Sequence, residues 1–164
     1  MKELELQNQR HLEAAQGWCE LHAYTEADAE LDKIVASLRA PPKVLEVRWQ
    51  IYANLEKWAD ALDIASAIVN TVPDWPSGWI YRASSLAELN RQKEAYETLS
   101  AAAALFPGDE IIPYDLACLC CALKRPDEAK TWLGKAIETG GSAIKLKALD
   151  DQDLEPIWKG IGSS

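Results

Sequence analysis

A chain of 164 residues, 48% hydrophobic and 26% charged, has globular proportions and enough length to bury a core. Its formal net charge of −9 repels phosphate backbones and acidic lipid surfaces, so neither nucleic acid nor membrane is an expected partner. No apolar run approaches the roughly 18 residues that a bilayer span needs.

Met1 to Arg10 is polar and mixed in charge, unlike a signal peptide, and a cytoplasmic protein is expected. Residues 2–22 read as one helix, with Leu12, Ala14, Ala15, Trp18 and Leu21 at helical spacing. Ala23 to Glu26 reads as the turn into a second helix that carries Ala27, Leu31, Ile34, Val35 and Leu38. Pro41 and Pro42 stop it, since a ring without an N–H cannot extend the helical ladder. A third helix spans about 44–54, Glu56 and Lys57 turn the chain, and a fourth runs over about 58–71. Asp74, Pro76 and Ser77 signal the next start, a cap-type residue followed by proline in the first turn. Trp79, Ala83, Leu86 and Leu89 line the fifth helix; Ala95, Leu99, Ala102 and Ala103 line the sixth. Pro113 sits in the first turn of the seventh helix, whose stripe is Leu116, Ala117, Cys120 and Leu123. Pro126 opens the eighth, where Asp127 and Glu128 complement the positive end of the helix dipole, and Gly140 and Gly141 end it. The tail offers a helical stretch over 143–149, an acidic break over 150–153, and an apolar patch at Leu154, Ile157 and Trp158.

These helices repeat. Ala27, Ala61, Ala95 and Ala129 lie 34 residues apart, as do Leu21, Leu55, Leu89 and Leu123. Two further columns keep the same step, Leu31–Ala65–Leu99–Leu133 and Val35–Val69–Ala103–Ile137. A fixed period of this size marks a stacked-repeat architecture. Here the chain resembles the tetratricopeptide repeat family, whose unit is a helix–turn–helix of this length. The resemblance implies an all-α fold, a right-handed superhelix of antiparallel helix pairs, built as a single domain over 1–164. The repeats fall at about 8–41, 42–75, 76–109 and 110–143, and 144–164 closes the end, because the last pair of a stack otherwise exposes its apolar side. Small residues at Ala15, Ala83 and Ala117 are expected to face the alanine column and let helix axes approach closely, with the Leu21 column burying the surrounding area. Trp49 stands where alanine is expected, so either that crossing widens or its indole turns to the neighbouring repeat.

The resemblance also implies a concave face lined by first helices. Its positions here are Lys43, Glu46 and Gln50, then Ile80, Tyr81 and Ser84, then Tyr114, Asp115 and Cys118, with Leu12, Glu13 and Gln16 from the first repeat. Family members that hold a peptide's terminal carboxylate use basic and asparagine side chains there. The matching residues are Leu12, Gln16, Val47, Ser77 and Tyr81, so that clamp is absent. Glu13, Glu46 and Asp115 outnumber Lys43, which predicts a protein or peptide partner with a neutral or basic segment. Tyr81 and Tyr114 are candidate anchors, large in contact area and low in entropy cost; the alternative is that they pack against neighbouring helices. The expected function is non-catalytic protein–protein interaction. Two other readings fit the same residues: a chaperone for an export substrate, and a self-associating structural protein with Trp75, Trp132 and Trp158 at its interface. The Leu154–Trp158 segment reads either as a cap or as a plug of its own groove.

No residues point to a cofactor. Glycines form no phosphate-binding loop. Cys19 and His22 have ligand spacing, but His11 is the other histidine and no second pair completes a metal site. Cys118, Cys120 and Cys121 crowd one helix without a basic neighbour, and read as reduced core residues rather than nucleophiles.

Overall fold

The computed structural model describes residues 2–34 and 41–161, and the side chains of 5–34 and 41–159. Val35 and Leu38 lie outside the described residues. Among those described, every regular element is helical: α1 (Lys2–Glu20), α2 (Tyr24–Asp32), α3 (Pro42–Asn54), α4 (Trp58–Thr71), α5 (Pro76–Glu88), α6 (Gln92–Leu105), α7 (Ile111–Ala122) and α8 (Pro126–Asp150), then a 3-10 helix (Gln152–Ile157) and α9 (Trp158–Ile161). The chain divides into two compact units, 1–85 and 86–164, with the division inside α5.

The turn inside each repeat has one geometry, used four times. His22, Glu56, Asn90 and Lys124 adopt positive φ of 57°, 56°, 60° and 59°, and they are 34 residues apart. Each donates its N–H three residues back, to Cys19, Ala53, Ala87 and Cys121. The following residue donates five back: Ala23 to Trp18, Lys57 to Tyr52, Arg91 to Leu86, Arg125 to Cys120. This is the Schellman closure, in which a left-handed residue lets orphan carbonyls of the ending helix be satisfied. The same four residues, Ala23, Lys57, Arg91 and Arg125, then accept from Ala27, Ala61, Ala95 and Ala129 and open the partner helix. The first turn therefore lies at residues 21–23, earlier than the Ala23–Glu26 expected, because its left-handed residue is a histidine that carries no turn signal.

All four alanines of that column have 0% exposure, and Ala15, Ala83 and Ala117 are at 2% or less. The expected burial of the leucine column is corrected: Leu21 is 71% exposed, and Leu55, Leu89 and Leu123 are half-buried. Each directly precedes the left-handed residue, at the end of its helix, and so lies beyond the crossing rather than around it.

Within residues 1–85, Leu12, Ala15, Ala27, Leu31, Val47 and Ile51 form a core over which Tyr52 and Leu55 pack. Arg48 of α3 reaches back to α2 and bridges Asp28 at 3.2 Å and Asp32 at 3.1 Å. At Gly78 a Cβ would meet Ile68 Cγ2 at 2.7 Å, so α5 approaches α4 at a place only glycine fits. Trp49 stacks on Tyr81 with ring centroids 4.1 Å apart and donates to Ser85 Oγ at 3.0 Å. Its indole thus turns to the neighbouring repeat.

Within residues 86–164, Ala117, Cys120, Ala129, Leu133 and Ala136 join α7 to α8. Asp109 Oδ1 accepts from the N–H groups of Ile111 and Ile112 and starts α7. The α8 backbone breaks at Gly141 (φ 67°, ψ −150°), then resumes to Asp150. The glycine pair therefore ends one helix, as expected, and a second helix follows it. Leu154 and Ile157 are 0% and 1% exposed, and Trp158 Nε1 donates to the Ala148 carbonyl at 2.9 Å.

A left-handed conformation costs a non-glycine residue about 1–2 kcal/mol, which glycine avoids while losing some of that gain to its freer unfolded chain. Glu56→Gly should therefore raise stability in urea unfolding by about 0.5–1 kcal/mol, whereas Glu56→Ala should give no such gain. Equal gains from both would trace the effect to the glutamate side chain and not to the backbone.

Candidate functional site

The expected groove positions separate by unit. In residues 1–85, α3 carries Lys43, Glu46 and Gln50 at helical spacing, and α5 carries Ile80, Tyr81 and Ser84. Tyr81 joins the two helices. Its hydroxyl donates to Glu46 Oε1 at 3.1 Å, one ring face lies on Trp49, and the ring stands near perpendicular to Trp75 with centroids 6.3 Å apart. Burial first, then the Glu46 charge, pushes its phenol up to about 12, so it stays a neutral donor. Glu46 Oε2 accepts from Lys43 Nζ at 3.0 Å. Gln50 and Lys43 are exposed, while Glu46, Ile80, Tyr81 and Ser84 are half-buried.

Beside this network lies an open depression of about 500 Å³, lined by Pro42, Lys43, Glu46, Val72, Asp74 and Trp75. The repeat register points to Lys43 and Glu46 here, but it offers Trp75 only as an edge for self-association. The lining role of Trp75 depends on the α4–α5 connection, and its register places hold Pro41 and Asp109, so no periodic signal marks it.

In residues 86–164, the expected anchor Tyr114 is corrected. It is 2% exposed and its hydroxyl donates to Asp151 Oδ2 at 2.5 Å. Lys147 Nζ sits 4.2 Å from its ring centroid. The chain beyond Asp150 lies over this stretch of α7, and Cys118 packs against the same core as Leu154 and Ile157. Tyr114 and Cys118 are thus used internally. Asp115 is half-buried, and burial pushes its carboxyl up to about 6; Lys147 draws it down, while Asp109 and Asp151 add to the rise.

Trp75, Trp132 and Trp158, the indoles expected to be exposed, are each half-buried, Trp132 under the Lys135 ammonium at 4.3 Å and Trp158 against the α7–α8 core. The exposed indole is Trp18, at 39%.

All four thiols are free. Burial raises Cys19, Cys118 and Cys121, and lifts Cys120 to about 11, which keeps them protonated and weakly nucleophilic. His11 is half-buried, and its Nδ1 lies 2.6 Å from Glu30 Oε1. Among the described residues, no group of three His, Cys, Asp or Glu side chains converges as a metal site requires, and no helix is long and apolar enough to cross a membrane.

No family model and no curated protein sequence matches the chain. Its fold is nevertheless found among solved structures. It is similar to the crystal structure of MamA protein, with a TM-score of 0.76 and 15% identity over 99% of this chain and 85% of that one. It is similar to TTC0263, a thermophilic TPR protein in Thermus thermophilus, with a TM-score of 0.73 and 16% identity over 94% of this chain and 83% of that one. It also matches a chain of the APC/C hetero-tetramer Cut9–Hcn1, with a TM-score of 0.72 and 16% identity over 96% of this chain but 30% of that one.

The raised Asp115 carboxyl gives a pH test of the α7 surroundings. Folded, it holds its proton to about pH 6; unfolded, it loses it near 3.8. Ionisation therefore opposes folding, and the stability associated with the neutral acid is lost as pH rises through that window. Asp115→Asn should raise the melting temperature at pH 7.5, and the difference should vanish by about pH 4. A constant difference across that range would mean that Asp115 ionises normally in the fold.

Proposed function

We propose that this chain, which has the tetratricopeptide-repeat fold, is a non-catalytic interaction module that holds a neutral or basic segment of a protein partner against α3 and α5. The observation that carries this reading is the network centred on Tyr81. Two helices from successive repeats are tied by the Trp49–Tyr81 stack and the Tyr81–Glu46 hydrogen bond, next to an open depression. Rigid aromatic walls beside exposed polar groups suit recognition, because little side-chain freedom remains to be lost when a partner docks. The proposed contact residues are Lys43, Glu46, Gln50, Ile80, Tyr81 and Ser84. Asp115 keeps a place in the proposal only at the margin, since Tyr114 and Cys118 beside it are engaged by the tail.

Surface substitutions test this better than removal of Tyr81, whose ring supports Trp49. A Gln50→Arg, Ser84→Arg double variant adds two positive charges to the proposed face. A control, Ala101→Arg, Thr131→Arg, adds two at exposed positions of α6 and α8. Both variants should melt as the parent does. In capture from the native lysate read by mass spectrometry, a partner retained by the control and lost with the first variant supports the reading. Loss with both, or with neither, removes the partner from this face.

Self-association is a second reading, favoured by one observation on α1. Leu6, Trp18 and Leu21 are 55%, 39% and 71% exposed. One repeat later, Tyr52 and Leu55 hold the register places of Trp18 and Leu21 and pack on the core that α1, α2 and α3 share. The α1 face therefore has the chemistry of an inter-repeat contact, open to a helix pair of another copy. On this reading the sedimentation-equilibrium mass of the parent should rise with concentration, and Leu21→Glu should hold it at the monomer value. A monomeric parent at submillimolar concentration would dismiss it.

A further inference from the structure

We infer that the depression between the start of α3 and the α4–α5 connection is a binding site for a guanidinium group, an arginine side chain of the partner segment. The inference rests on the proposed interaction function and specifies the chemistry of the same face.

Three observations converge there. The first is shape. A volume of about 500 Å³ is open at the surface, with Trp75, Pro42 and Val72 as its apolar wall. The second is the fixing of that wall. Trp75 meets Tyr81 with the two ring planes near perpendicular, Tyr81 is stacked on Trp49, and Trp49 is itself held by Ser85. The third is charge. Of the ionisable residues lining the space, Glu46 and Asp74 are acidic and Lys43 is basic, so its formal sum is negative in a chain of net charge −9.

Lys43 occupies part of the place that a ligand cation would take. Its ammonium pairs with Glu46 Oε2 at 3.0 Å, but its side chain is 62% exposed. An exposed pair three residues apart on a helix is weak, and one long side chain exchanges readily for another. Glu46 has capacity left, because an ionised carboxylate can accept about four hydrogen bonds and two of its places are taken, by Tyr81 and Lys43.

A guanidinium fits this setting better than an ammonium. It is planar and weakly hydrated, stacks on an indole face, and still presents N–H groups in its plane to carboxylates. An ammonium would satisfy the charge and leave the Trp75 wall less used. A neutral side chain of the same shape would use the wall and lose the charge. That last difference is the one to measure.

The test uses the full-length protein labelled with nitrogen-15 and two probes, Ac-Gly-Arg-Gly-NH2 and its counterpart with citrulline in place of arginine. Citrulline keeps the length and planarity of arginine without the charge. The indole N–H resonance of Trp75, assigned by its loss in Trp75→Phe, reports occupancy, and the other indole resonances report that the fold is intact. The arginine peptide should shift the Trp75 signal saturably, and the citrulline peptide should bind at least about ten-fold more weakly. Glu46→Gln with Asp74→Asn should reduce arginine binding by a similar factor. Lys43→Met should tighten it a few-fold by removing the resident cation. Equal binding of the two peptides, or arginine binding untouched by the Glu46→Gln, Asp74→Asn pair, would overturn the inference. So would no movement of the Trp75 signal at the highest soluble peptide concentration. Such a failure is distinguishable from failure of the interaction reading, because a partner lost specifically with Gln50→Arg, Ser84→Arg would still stand without any arginine in this depression.

Discussion

The closing of each helix pair by a left-handed residue, followed five residues later by a buried alanine, is the constraint that the rest of the structure depends on. His22, Glu56, Asn90 and Lys124 turn the chain, and Ala27, Ala61, Ala95 and Ala129 then lie at 0% exposure. A helix that has just reversed direction in two or three residues starts close to the one it left. Side chains near that reversal have to be small, or the axes cannot come together. Turn and alanine are two sides of one requirement, and both recur with the same period. The leucines just before the turn feel no such pressure, which is why Leu21 can be 71% exposed without harm to its pair.

Once small residues fix the pairs, larger ones are free to work between repeats. Trp49 illustrates the division. It breaks the small-residue pattern kept at Ala15, Ala83 and Ala117, and in exchange it extends to α5, stacks on Tyr81 and bonds to Ser85. Arg48, its neighbour in sequence, works in the other direction and holds two aspartates of α2. Adjacent residues on one helix thus tie it to the repeat before and the repeat after. The candidate site is a by-product of the forward tie. Tyr81 is held by its ring and presents its hydroxyl to Glu46, while Trp75 stands near perpendicular against it.

Much of this is legible in the sequence, and the losses have physical causes. The alanine columns are visible because a small side chain at a crossing has no substitute of other chemistry. The left-handed positions are not, since histidine, glutamate, asparagine and lysine share nothing that marks them, and only asparagine tolerates that conformation well. Period alone is enough to suggest Glu46 with Tyr81, which are 35 residues apart, or Trp49 with Ser85, 36 apart. Contacts between neighbouring repeats fall near one period. Tyr114 escapes a sequence reading for the opposite reason. Its partner Asp151 is 37 residues on, close to one period, but in a tail whose residues no longer follow the repeat.

That tail bears on how a repeat protein ends. A stack of helix pairs presents the same apolar face at its last pair as at every other, and water there has to be excluded by something. Here the chain bends at Gly141, and Leu154 and Ile157 take up buried places beside Cys120 and Leu133. The cover is not purely apolar. Asp151 accepts from Tyr114, which withdraws a tyrosine that would otherwise sit where Ile80 and Glu46 sit one and two repeats earlier. Covering the α7–α8 core and burying Tyr114 therefore go together, because the residues that cover that core reach it across α7. Of the expected groove positions, those of α3 and α5 in residues 1–85 therefore stay clear of the tail, whereas Tyr114 and Cys118 in residues 86–164 do not, even though both units are built from the same repeat.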